Sequence, residues 1–147
     1  MNSLAFALPA ALAVAALAGP GAASVPGDAL DALEGRWVWT KDREELGLKE
    51  ACRRRFEEYD ISDDRRAVTY RIAVREAGSP STGVYRVLYV DGASVGLFLE
   101  GEDRRFDNGD PYIWIAVVDS LERFVWRVHG TLPDPADTDL SRVRCPS

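Results

Sequence analysis

From about residue 67 onward, apolar and polar side chains alternate in short runs, and this period-two rhythm limits the chain to strands that pair with their neighbours. Val68, Tyr70, Ile72 and Val74 share one face of a strand over Ala67 to Arg75, while Thr69, Arg71 and Arg75 share the other. Further strands are expected over Val84 to Val90, Val95 to Glu100, Tyr112 to Val118, Phe124 to His129 and Leu140 to Cys145. Asp91-Gly92 is a tight hairpin signal between two of them. Gly78 to Gly83 and residues 101–110 read as loops, and Asp119-Ser120 as the start of a turn. Upstream, Arg36 to Thr40 alternates as a first strand, and Arg54 to Ile61 as a second. Between them Asp42 is a plausible N-cap, and Leu48, Cys52 and Phe56 recur every fourth residue, so a short helix or turn is expected over roughly 43–51.

No long helical segment separates these strands, so the crossovers that a parallel sheet requires have no room. The expected fold is therefore all-β: an antiparallel up-and-down meander of seven or eight strands with a short helix after the first strand. An open sheet of that size leaves two bare edges, so a closed barrel is favoured, with a two-sheet sandwich as the alternative.

The beginning of the chain is of another kind. Met1 to Ser24 contains no Asp, Glu, Lys or Arg, Leu4 to Ala18 is apolar apart from Pro9, and small residues follow. This pattern is expected of a signal peptide over 1–24, cleaved after Ala23 or Ser24, leaving one β-barrel domain over 25–147. The apolar stretch falls short of the ~20 residues of a membrane-spanning helix, so no stable membrane insertion is expected after cleavage. Basic residues are almost all Arg, with Lys only at positions 41 and 49, which points to a GC-rich bacterial genome; with the signal pattern, a periplasmic or secreted product is expected. In an oxidising compartment Cys52 and Cys145 read as a disulfide, which in the chain-entropy picture stabilises by about 4–5 kcal/mol.

The opening of the mature domain, a helical turn followed by Gly35-Arg36-Trp37, resembles the G-x-W start of the lipocalin-like (calycin) barrels. An irregular segment after the first strand, a run of hairpins and a C-terminal cysteine extend the resemblance over most of residues 28–145. It implies an eight-stranded up-and-down barrel, often with a cavity for a small apolar ligand, and a closed-end packing role for Trp37. Asp119-Ser120-Leu121 differs from that family's Thr-Asp-Tyr, and the tail after Val128 is shorter than its helix plus strand, as in a minimal bacterial relative.

The formal charge of −6 argues against a nucleic-acid partner, and Arg53-Arg54-Arg55, followed by Glu57 and Glu58, reads as a solvated face. The single histidine, His129, has no nucleophile or orienting partner in a recognisable motif, so no catalytic residue, metal site or cofactor is expected and the chain is not read as an enzyme. The acidic loop over residues 100–110 lacks the spacing of a calcium loop. Aromatic residues are the remaining signal. Alternation places Trp37, Tyr70, Trp114 and Trp126 on inward faces, where they either fill the core or line a ligand cavity. Two roles follow from this pattern: binding of a small apolar molecule inside the barrel, or interaction with another exported protein such as an extracellular enzyme.

Overall fold

The computed structural model describes residues 28–73, 81–132 and 136–147; the segment expected to be a signal peptide and the Val74 and Arg75 end of the third expected strand lie outside them. The strands are β1 (Gly35–Trp39), β2 (Glu57–Ile61), β3 (Ala67–Ile72), β4 (Thr82–Asp91), β5 (Ser94–Leu99), β6 (Trp114–Ser120), β7 (Arg123–Val128) and β8 (Ser141–Arg144). Each pairs antiparallel with the next, and β8 returns to β1 with Val38 opposite Val143, so the eight strands form a closed barrel. A sandwich is thereby excluded.

Two departures from the expected elements have local causes. The segment after β1 makes two helices, α1 (Thr40–Leu46) and α2 (Leu48–Arg54), where one was expected. Gly47 separates them at φ 78°, a left-handed conformation that stops α1 and lets the chain start again in a new direction. Strand β4 also takes in Thr82 and Gly83, which read as loop. Gly83 stands opposite Tyr70, and the ring lies so close that a Cβ on residue 83 would be 2.4 Å from it. The glycine belongs to the strand because the tyrosine needs its space.

One end of the barrel is plugged. A 3-10 turn over Asp31–Leu33 drops Ala29, Leu30 and Leu33 into the interior below Trp37, which is 0% exposed. The Trp37 indole N–H donates to Leu33 O at 2.9 Å, and Phe124 meets the ring edge-on at 4.8 Å. Arg144 lies over the indole, 4.2 Å from its centroid, and donates to Glu34 O at 2.8 Å and Leu121 O at 2.5 Å. Gly35 is required here twice over: its φ is 114°, and a Cβ would sit 3.0 Å from the Arg144 guanidinium.

A second, smaller core lies outside the barrel wall. Val38, Ala51 and Cys145 are buried between α2 and β1, with Leu46, Leu48, Phe56 and Val143 packed against them. The Cys52–Cys145 disulfide, with Cα atoms 5.7 Å apart, ties α2 to the end of β8 across 93 residues of sequence. Replacing both cysteines by alanine is expected to lower the unfolding free energy by about 2–5 kcal/mol in urea titrations. An unchanged midpoint would show that the helical segment is held by its apolar contacts alone.

Candidate functional site

The other end of the barrel is polar where the plugged end is apolar. Glu57 opens β2 and its side chain turns inward with that of Tyr59, two positions on along the same strand face. Arg142, on β8, reaches it past the intervening β1: Nε donates to Oε2 at 2.8 Å and Nη2 to Oε1 at 3.1 Å. This is a bidentate, charge-assisted pair with both side chains only 8% exposed. The Tyr59 hydroxyl donates to Glu57 Oε2 at 2.5 Å and the Trp39 indole N–H to Oε1, while Arg142 Nη1 is held by Asp139 O at 2.8 Å.

The electrostatics follow from that geometry. Burial works to raise the Glu57 pKa, but the Arg142 charge and the hydrogen bonds from Arg142, Tyr59 and Trp39 outweigh it and hold the carboxyl below its ordinary value. Burial, followed by the Glu57 charge, pushes the Tyr59 phenol well above its usual range. Tyr85 and Tyr70 are displaced upward for the same two reasons.

Above this pair lies a cavity of about 290 Å³, walled by Tyr70, Ile72, Tyr85, Trp114, Trp126 and Leu140 and floored by Tyr59, Glu57 and Arg142. Its rings are mutually ordered: Tyr85 stacks on Trp126 at 5.6 Å, Tyr70 tilts against Tyr85 at 5.3 Å, and Trp114 meets Trp126 edge-on at 6.1 Å. The Tyr70 and Tyr85 hydroxyls make no hydrogen bond among the described residues. The Trp114 indole N–H is buried and makes no well-formed hydrogen bond there either; the Glu102 carboxylate draws on it only weakly. Glu102 itself is bound to Arg104, whose guanidinium lies 4.7 Å from the Tyr112 ring centroid.

Of the four aromatic residues singled out from alternation, Tyr70, Trp114 and Trp126 meet around this cavity, whereas Trp37 is sealed in the plugged end and does not line it. Sequence reasoning missed Glu57, Tyr59, Tyr85 and Arg142. Arg53 and Arg54 do form a solvated face with Glu50, and Glu58 pairs outside with Arg36 and Arg71, but Glu57 departs from that pattern by turning inside. Its parity with Tyr59 and Ile61 carried the signal. His129 is exposed at the end of β7. Among the described residues no group of three or more His, Cys, Asp or Glu is arranged to hold a metal ion. No protein-family model matches the chain, and no curated protein or solved structure is significantly similar to it.

Removing one partner of a buried pair strands the other charge, so Arg142→Leu is expected to cost about 3–5 kcal/mol at neutral pH. In Glu57→Gln/Arg142→Leu the amide oxygen can accept from the Trp39 indole N–H while its N–H donates to the Tyr59 hydroxyl oxygen, and most of the loss is regained. In the single variant burial raises the Glu57 pKa against only the Tyr59 and Trp39 hydrogen bonds. The deficit is then greatest at neutral pH and shrinks as pH falls towards the ordinary Glu value of about 4.3, where the carboxyl enters the core neutral. Urea titrations across that range check both outcomes; a deficit independent of pH would contradict the assignment.

Proposed function

We propose that the chain is an exported, lipocalin-like bacterial binding protein that holds a small apolar, ring-bearing molecule in the mouth of its barrel. The observation that carries this reading is the aromatic-walled cavity over the Glu57–Arg142 floor. Apolar walls with a few placed polar groups are the composition of small-molecule sites, and the unpaired Tyr70 and Tyr85 hydroxyls are groups a ligand satisfies. At about 290 Å³ the space lies at the lower end of ligand pockets, so it suits one or two fused rings rather than a long acyl chain. Export is supported by the uncharged apolar start of the sequence and by the Cys52–Cys145 bridge, a bond that persists in oxidising compartments.

A second role, docking of another exported protein, is favoured by one observation. A bulge between Val87 and Tyr89 in β4 leaves Leu88 and Tyr89 exposed next to one another, and Val90 beside them is exposed too.

Isothermal calorimetry with 2-naphthol and with palmitate separates the size classes: saturable binding of the naphthol and none of the fatty acid is expected. Leu140→Trp, which fills the mouth, should weaken naphthol binding by about tenfold or more. Absence of naphthol binding, or equal binding by the filled variant, would remove this reading in favour of the exposed β4 residues.

A further inference from the structure

The inner cavity has a neighbour. A cleft of about 420 Å³ lies beside the barrel mouth, between the α1–α2 segment and the start of β2, and the two spaces share Glu57 and Ile72 as walls. Trp39 and Phe56 supply ring surface to this cleft, and Asp42, Glu45, Lys41 and Arg55 supply its charges.

Those charges do not balance. Glu57 is matched by Arg142, and Lys41 by Asp139 at 2.8 Å. Asp42 and Glu45, however, both draw on the same nitrogen, Arg55 Nη1, at 2.9 and 2.8 Å. Two carboxylates on one guanidinium leave the Arg55 side of the cleft with a surplus negative charge, while the surplus cation of the group around Glu58, which Arg36 and Arg71 share, lies over the Phe56 ring. Asp42 is buried, so its share of Arg55 is fixed, while the Glu45 side chain is 61% exposed and free to turn towards a second cation. The wall also already shows what it accommodates: the Lys41 ammonium, a primary amine on an alkyl stem, rests 4.5 Å from the Trp39 ring centroid. Inside the barrel burial comes first in opposing ionisation of Tyr70 and Tyr85, and the Glu57 charge adds to it, offset in part at Tyr85 by Arg142; a ligand carboxylate among these rings meets the same cost of burial.

We infer that the cavity and the cleft are two halves of one site for a protonated arylalkylamine, its ring among Tyr70, Tyr85 and Trp126 and its ammonium against Glu45 and Asp42 beside Trp39. This rests on the ring-binding reading above and gives it a ligand charge. A neutral ring fills only the inner half. An aryl carboxylate of the same size brings a second anion to a cleft that already has one too many.

Three ligands with one ring test this by calorimetry on the exported, disulfide-bonded protein: 3-methylindole, tryptamine and indole-3-propionate. Tryptamine is expected to bind at least about tenfold more tightly than indole-3-propionate at low salt, a preference that narrows as added salt screens the charges. Glu45→Gln, a change at an exposed side chain that leaves Asp42 on Arg55, should bring the two affinities towards equality. Binding of 3-methylindole with no preference for the amine over the carboxylate would overturn the amine assignment while leaving the ring site standing. Binding of none of the three would overturn the ring site itself.

Discussion

The buried Glu57–Arg142 pair is the constraint around which the open half of the barrel is arranged. It joins the first residue of β2 to β8, the two strands that flank β1, inside a barrel otherwise filled by apolar side chains. A pair of this kind gains little over apolar filling once both ions have left water, yet removing either partner is expensive. Four hydrogen-bond donors converge on one carboxylate, and no apolar side chain can move into that position without breaking them. The rings above it therefore have a polar floor, and the mouth keeps a space that the plugged end does not have.

The two ends use the same parts for opposite purposes. Across the seam that closes the barrel, Trp37 stands opposite Arg144 and Trp39 opposite Arg142. At the plugged end the guanidinium covers the indole and binds the backbone carbonyls of the entering chain, so nothing is left unsatisfied. At the open end the second guanidinium is 5.2 Å from its indole and is turned to a carboxylate inside the barrel. Between these arginines Val143 faces outward, where α2 and the disulfide cover it. One four-residue strand thus seals one end, polarises the other and anchors the helices beside the mouth.

Much of this was legible in the sequence. The alternation through Val68, Tyr70 and Ile72, repeated along strands with short turns, pointed to an antiparallel meander, and the β1–β8 pairing decides for a barrel over a sandwich. What escaped it were positions where a neighbour overrides the local pattern. Gly83 reads as loop until the Tyr70 ring is laid across it, and Gly47 reads as a weak helical position until its backbone divides the segment. The floor of the site was hidden for a different reason. Glu57 and Arg142 are charged, and charged residues are almost never buried unless paired. Their partnership spans 85 positions, so neither residue reveals the other. Trp37 and Trp126 look alike in an alternating strand; only the 3-10 plug below one and the open space beside the other distinguish them.

The central claim is that the open half of the barrel admits a ring where the plugged half does not. The most direct measurement is the set of intermolecular nuclear Overhauser contacts made by a small aromatic probe, 2-naphthol, at saturating concentration. Contacts to the ring protons of Tyr70, Tyr85 and Trp126, with none to Trp37 or Phe124, are the result expected. Contacts confined to the exposed Leu88 and Tyr89 of β4 would contradict it.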